Sequence, residues 1–438
     1  MGGESQSVSS RNELLVRDPI HGFIDLREYP FIQEIVEDER FQRLRRLTQL
    51  GFSYLIYPSA CHNRFSHSIG AMYLFLKLFD RVSRTLAVSN EEKDRLRKIG
   101  TAVVLLHDIG HGPFSHVTES ILDYKHVTVT KQLVCESPIA GILKKAGIDP
   151  QDLLHILDGA VRGNLVLLSQ LASSQLDADR LDYLVRDAYF TGVGFGNVDV
   201  DRIINTMILY DKDELKGQAI NLYKARFSLE SYILARHLMY QAVYFHKATR
   251  SAELLLKGAI KRAQVVKDKI DVLDELAFVT ENRSPSAQEL TAIDDSLLYA
   301  QIWRWTKSKD SILSDLCGRI VHRRLLKAVD IPPDKFAFMM GEGQRMLQRL
   351  ATRCGVDTEY LCPYDNPTDT PYLPYSPKGK DDEANVITNI FLIDKDENPQ
   401  EISRASDVVK SLSDVKYSLF RLYCPEKMRD DVRKILKH

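Results

Sequence analysis

Apolar positions along the chain recur mostly at helical spacing. Phe31, Ile35 and Val36 fall on one face, and Phe41, Leu44, Leu47 and Leu50 continue the pattern until Gly51 stops it. Residues 66–80 (SHSIGAMYLFLKLFD) predict a strongly apolar helix with Ser66 as its N-cap. Residues 91–107 begin polar (EEKDRLRK) and end almost wholly apolar (TAVVLLH), so the second half of that helix is expected deep among other helices. Further long helices are predicted over 174–189 and 227–266. Strand signals are sparse. Residues 14–26 read as two short extended pieces around an Asp18-Pro19 turn. In 206–223, MILY and AINLY flank DKDELKGQ as a hairpin. Five of the sixteen prolines lie between 363 and 377, followed by KGKDDE, which reads as a linker or a large surface loop. Beyond it, ITNIFLID and YSLFRLY read as strands and PEKMRDDVRKILK as a closing helix. The expected fold is mainly α. It has a disordered tail over 1–13, a helical core with short β-hairpins over 14–275, and a small α+β accessory lobe over 276–438 that contains the Pro-rich loop 363–385.

Composition narrows the class. At roughly 100–200 residues per domain, 438 residues suggest two or three domains. Lys+Arg is 59 and Asp+Glu is 60, a net charge of −1, so there is no global electrostatic footprint for nucleic acid, and whether nucleic acid binds is left open. The six cysteines are scattered without a Cys-x-x-Cys pair, against both a disulfide framework and a zinc ribbon. No apolar run reaches the roughly 18–20 residues that span a bilayer, and the N-terminus lacks the pattern of a signal peptide. A reduced, cytoplasmic setting without membrane attachment is expected.

Chemistry concentrates in the histidines. Of twelve, His62, His67, His107, His111, His116 and His126 lie between 62 and 126. The segment HDIGHGPFSH begins where a buried helix should end, and a charged Asp108 there is costly unless paired or metal-bound. His107 and His111 are spaced i, i+4 as in zinc proteases, but Asp108 replaces the glutamate and Gly110, Gly112 and Pro113 break the helix. A His-Asp doublet completed by remote ligands fits better, with His67 and Asp179 (in LDADRLDYLVRD) as the candidates. That mixed imidazole and carboxylate set suits zinc, iron or manganese.

With these motifs the chain resembles the HD-domain phosphohydrolases. Within them it is similar to the deoxynucleoside triphosphate triphosphohydrolases related to the eukaryotic enzyme that joins a sterile-alpha motif to an HD domain. The resemblance runs from about Arg17 to Arg250. It rests on DPIHG (18–22), FQRLRRLTQLG (41–51), YPSACHNRFSHSIG (57–70), HDIGHGPFSH (107–116), DADRLDYLVRD (177–187) and YFHK (244–247). It implies an HD-domain core and His67, His107, Asp108 and Asp179 as ligands of one divalent transition metal, with magnesium accompanying the nucleotide. It implies His111, His116 and His126 as catalytic histidines beside Asp108, with His116 protonating the leaving 5′-oxygen. Arg64, Arg180, Tyr183 and Arg236 would meet the triphosphate, Gln49 and Asp187 the sugar 3′-hydroxyl, and Leu50 and Tyr244 would close against C2′ to exclude ribose. Asp179, Tyr183 and Arg186, at i, i+4 and i+7, share a helix face.

Three positions depart from the family pattern. Arg180 stands for a lysine, Glu119 for an aspartate, and Val127 for a glutamate that would orient His126. Positions matching a guanine-nucleotide effector site between subunits are Glu37, Gln42 and Arg45, with a homodimer or homotetramer implied. The expected reaction is hydrolysis of dNTPs to deoxynucleoside and inorganic triphosphate. The rivals are the same metal site acting on a monophosphate, cyclic nucleotide or oligonucleotide end, and a nucleotide-sensing or single-stranded nucleic-acid-binding protein with little turnover. TGVGFGN (191–197) lacks dinucleotide-fingerprint spacing and reads as a tight loop. The basic stretches 257–269 and 322–327 read as solvated helix faces.

Overall fold

In DPIHG, Asp18 Oδ1 accepts the backbone N–H of Ile20 and His21 at 2.8 and 3.0 Å, and Gly22 takes the left-handed φ of 75° that the turn requires. The turn joins β1 (Leu15–Asp18) to β2 (Gly22–Asp25) as an antiparallel pair with Val16 opposite Ile24. The computed structural model describes residues 14–212, 215–281, 283–373, 389–413 and 417–437. The expected tail 1–13 and residues 374–388 of the Pro-rich region lie outside the described residues.

Helices dominate, as the pattern predicts. α1 (Pro30–Glu37) and α2 (Glu39–Gln42) lead to α3 (Arg64–Val82) and α4 (Asn90–Leu106). α5 (His116–Leu122) and α6 (His126–Glu136) follow the histidine-rich loop. α7 (Pro138–Lys145), α8 (Pro150–Leu157) and α9 (Leu165–Ala172) pack beneath, before α10 (Ala178–Thr191) and α11 (Val200–Thr206). α12 (Leu222–Met239) and α13 (Lys247–Val265) complete the first two-thirds. The apolar second half of α4 is buried from Leu96 to Leu106, packed on α3.

Several boundaries differ from expectation. The cap of α3 is Asn63, whose side chain accepts the Ser66 N–H at 3.0 Å, so the helix starts two residues before Ser66. α10 starts at Ala178 because Asp177 caps it, accepting from Arg180 N at 2.7 Å. The stretch 227–266 is two helices, interrupted by a π turn at Tyr240–Tyr244 and restarted on the His246 cap. TGVGFGN forms a short 3-10 turn against α10.

The expected hairpin forms as β3 (Met207–Lys212) and β4 (Leu215–Asn221), and it grows into a larger sheet. β4 pairs in parallel with β8 (Phe391–Ile393), which pairs antiparallel with β9 (Pro399–Glu401). A second sheet orders β5 (Lys327–Asp330), β11 (Arg421–Cys424) and β6 (Tyr364–Asp365), and β7 (Thr368–Asp369) pairs with β10 (Tyr417–Ser418). The helix Arg429–Ile435 closes the chain. One apolar core surrounds α3, α4, α9 and α10. A second lies about α13 and the helices Asp295–Trp305 and Ser311–Val321, and Phe52 and Phe114 reach it stacked 4.3 Å apart. No helix among the described residues is long and apolar enough to cross a membrane.

A charged seam joins α13 to β6. Arg250 donates to both oxygens of Asp365 (2.9 and 2.6 Å) and to Glu253. Burial, reinforced by Asp365 and opposed by Arg250, raises the Glu253 carboxyl to about 7. A carboxyl raised in the folded state favours folding while protonated. Its contribution is full below the unfolded value of 4.5 and is lost as pH rises through about 7. Glu253→Gln is therefore expected to flatten the pH dependence, with a thermal midpoint that gains on wild type between pH 5 and pH 8.

Candidate metal centre and active site

His67 sits in the first turn of α3, His107 and Asp108 follow the last turn of α4, and Asp179 lies in the first turn of α10. Helix packing brings them together. His67 Nε2 is 3.3 Å from His107 Nε2 and 3.1 Å from Asp179 Oδ1, and His107 Nε2 is 3.6 Å from the same oxygen. Asp108 completes the set, 3.4 Å from His107 Nε2 and 3.7 Å from His67 Nε2. The far side of each ring fixes its tautomer. His107 Nδ1 donates to the Val104 carbonyl at 2.7 Å, and His67 Nδ1 donates to Asp182 Oδ2 at 2.8 Å. Both Nε2 atoms therefore face each other and two carboxylates, where a proton on His67 and a metal ion compete for one place. Burial opposes a charge on His67, yet Asp179 and Asp182 outweigh it and lift the imidazole to about 10. The same field favours a cation among the four groups. Once the ion displaces the His67 proton, two imidazoles and two carboxylates suit a divalent transition metal, so the residues fit the expected one. His107 and His111 do not share a helix, because α4 ends at Leu106, so the zinc-protease spacing has no structural counterpart.

Asp182 was not anticipated. It is fully buried and accepts from Arg186 Nε (2.8 Å) and Nη2 (2.9 Å), and it faces His21 Nε2 at 2.6 Å. Arg186 Nη1 donates onward to Asp18 Oδ2 at 2.7 Å. Arg186 is thus turned into the core, on the side of α10 that faces α3. The DPIHG turn buttresses His67 through this network. α3 approaches α10 closely here: a Cβ on Gly70 would collide with the Asp182 and Arg186 side chains.

The second histidine group surrounds Glu119. His111 Nδ1, His116 Nδ1 and His126 Nδ1 lie 3.1, 3.2 and 3.0 Å from Glu119 Oε1. The His126 contact supplies the orientation that Val127 cannot. Burial opposes ionisation of Glu119, but the three imidazoles hold its carboxyl well below the usual range. The His111 and His126 rings stack 3.8 Å apart at 14°. The ligand atoms of this group also lie within 4.8 Å of one another, so Glu119 gathers three imidazoles at one point where protons or a cation can be held. Burial and Arg64 press the His111 imidazole down to about 4, and its Nε2 lies 3.3 Å from Asp108 Oδ1. His116 is exposed. Arg64 donates to Asp108 and to Ser115 Oγ (3.0 Å).

The loop before His116 is strained: Phe114 and Ser115 have φ of 52° and 55°. It is held from the C-terminal third. Asp295 accepts Phe114 N and Thr48 N, both at 2.8 Å, and buried Arg43 donates to the carbonyls of Ile109, His111, Leu290 and Ile293. Arg43 is therefore a structural bracket, and the FQRLRR motif carries it.

The residues expected at the sugar end also meet. Asp187 accepts from Tyr244 Oη at 2.8 Å and faces His62 Nε2 at 2.7 Å; the His62 ring stacks on Phe190. Gln49 donates its backbone N–H to the His62 carbonyl, and its side-chain Oε1 is buried without a partner. Leu50 is half-buried in the next position. Tyr183 lies 6.2 Å from Tyr244, ring to ring. Arg180 is held near Asp177 (3.5 Å). Arg236 does not join an open phosphate cradle: it donates to Asp369 and to the backbone of Thr370 and Pro371. At the expected effector positions, Gln42 accepts from Arg45 Nε at 2.9 Å, the Arg45 guanidinium lies 3.5 Å over Phe65, and Glu37 is exposed.

Comparison with known proteins agrees with this geometry. The HD domain model matches residues 64–184, and the HD associated region matches residues 198–438. The uncharacterized protein YwfO of Bacillus subtilis is 32% identical over 420 residues, covering 94% of this chain and 92% of its own. The deoxynucleoside triphosphate triphosphohydrolase SAMHD1 of Danio rerio is 25% identical, covering 97% of this chain and 72% of its own. The crystal structure of a phosphohydrolase from Bacteroides thetaiotaomicron superposes with a TM-score of 0.77 at 27% identity, covering 94% of this chain and 99% of that one. The chain thus belongs to the HD-domain phosphohydrolases, in the form that carries an HD-associated region after the histidine- and aspartate-rich core.

Proposed function

We propose that the protein hydrolyses deoxynucleoside triphosphates to deoxynucleoside and inorganic triphosphate. The observation that carries this reading is the convergence of two imidazole lone pairs and two carboxylates beside a separate histidine group on Glu119. His67, His107, Asp108 and Asp179 would hold a zinc, iron or manganese ion. When bound, that ion supplies positive charge at the α-phosphate and lowers the pKa of a water. Glu119 turns His116 so that its Nε2 is free to give a proton to the leaving 5′-oxygen. His111, kept neutral by burial and Arg64, and His126 flank the same phosphate. Arg64, Arg180 and Arg236, with Tyr183, supply the charge and donors for the phosphate chain. Asp187 and Gln49 bind the 3′-hydroxyl, and the unpartnered Gln49 Oε1 is an acceptor suited to it. Leu50 and Tyr244 close against C2′, where a ribose hydroxyl would be desolvated without a partner. A guanine nucleotide bound at Glu37, Gln42 and Arg45, between copies of a homodimer or homotetramer, would act as effector.

One observation favours a shorter phosphate chain: Arg236 is engaged by Asp369. Product analysis separates the readings. Incubation with each dNTP is expected to release deoxynucleoside and triphosphate, whereas monophosphate and pyrophosphate would refute attack at the α-phosphorus with loss of the whole chain. Leu50→Ala is expected to admit ribonucleotides, lowering the dATP over ATP ratio of kcat/KM about tenfold.

A further inference from the structure

The guanidinium of Arg236 lies at the end of α12, buried against the segment Thr368–Leu373. Nη1 donates to the carbonyls of Thr370 (2.9 Å) and Pro371, and Nη2 donates to Asp369 Oδ1 at 2.9 Å. The Tyr240 ring centre is 4.9 Å away. Arginine and carboxylate favour a two-pronged pairing, and it is not made here. Arg236 Nε and Asp369 Oδ2 are both buried without a partner. Leaving two charged groups partly unsatisfied is costly. Arg180 and Tyr183 lie within electrostatic range of the same guanidinium.

The backbone around this contact is pinned. Thr368 and Asp369 pair with Ser418 and Tyr417. Tyr372 is buried, donates to Glu401, and accepts Ile390 N at 3.1 Å. Leu373 N and its carbonyl bond the Gln175 side chain, both at 2.9 Å, and Gln175's own carbonyl holds Tyr232 Oη at 2.8 Å. The segment cannot swing aside without breaking these links. The Asp369 side chain, however, can rotate about its own bonds while the backbone stays.

We propose that Asp369 is a specificity-determining residue: its carboxylate occupies the Arg236 donor that a distal phosphate would take, so only a ligand with a long, highly charged phosphate chain displaces it. The inference rests on the triphosphate reading. It reconciles that reading with an Arg236 that already has an anion, and it makes the C-terminal lobe part of the selectivity of the site.

The test is calorimetric titration of the metal-loaded protein with the magnesium salts of inorganic tripolyphosphate, pyrophosphate and phosphate, beside dNTP kinetics. Asp369→Asn keeps an oxygen to accept from Nη2 and removes the charge. It is expected to bind pyrophosphate about tenfold more tightly. The preference for tripolyphosphate over pyrophosphate should narrow, and the KM for dNTP should fall. Asp369→Glu keeps the charge and should behave as wild type, and Arg236→Ala should erase the effect of Asp369→Asn. Thermal unfolding checks that each variant is folded. If Asp369→Asn binds pyrophosphate no better or more weakly while dNTPs are cleaved, Asp369 merely positions Arg236 and the inference falls alone. If no dNTP is cleaved, but Asp369→Asn still tightens polyphosphate, the triphosphohydrolase reading falls and the competition at Arg236 stands.

Discussion

Replacing His107 and Asp108 together by alanine is expected to empty the metal centre and end turnover. Each side chain meets the others at the point where α3, α4 and α10 converge. Removing one imidazole and one carboxylate leaves His67 and Asp179, too few donors to retain a transition ion against a mild chelator. Metal content should fall from about one equivalent to near zero. Phosphohydrolase activity should drop by at least ~10³-fold, since both charge neutralisation and water activation are lost. The fold should survive with a lowered thermal midpoint, because the loss of Asp108 leaves the buried Arg64 guanidinium without its carboxylate. Arg64 would lose its Asp108 partner but keep Ser115. Elemental analysis, an activity assay and a thermal melt on one preparation check all three statements.

Asp182→Ala is expected to have the larger effect on stability. The carboxylate answers Arg186, His21 and His67 at once, the first and last of them fully buried and His21 half-buried. Its removal strands the Arg186 guanidinium in the core with Asp18 as its remaining carboxylate. Breaking a buried pair in this way costs about 3–5 kcal/mol. It also frees the His67 ring to rotate, and loss of such a supporting carboxylate typically weakens metal binding about 10- to 100-fold. Urea unfolding measures the first effect and chelator competition the second. His21→Ala removes only one arm of the network and should cost less on both scales.

The parts of the site legible in the sequence were those fixed by local spacing. HDIGHGPFSH announces the end of a buried helix and the arrival of polar donors, and the i, i+4 relation of Asp179 and Tyr183 survives in α10. The parts that were not legible depend on contacts between distant segments. Asp182, three residues after Asp179, gave a signal in hindsight: a carboxylate one helical turn from a ligand is placed to meet the back of a histidine. Its partner His21 lies 161 residues away, and Asp18, which shares Arg186 with it, lies 168 residues from that arginine. No periodicity reports Asp295 holding the Phe114 loop, or Asp369 meeting Arg236, because each links the HD core to the C-terminal third. The same holds for β4, whose hairpin was predicted and whose parallel partner β8 was not. Cap choice failed for a local reason: Asn63 and Ser66 are both good N-caps, and the carbonyl-bearing side chain three residues earlier reaches the free N–H first.

The most direct measurement combines metal analysis of the purified protein with phosphorus NMR of its products from a dNTP. About one equivalent of zinc, iron or manganese per chain, together with inorganic triphosphate and free deoxynucleoside, is the expected result. Protein that retains no transition metal under any loading condition, or that releases pyrophosphate instead, would contradict it.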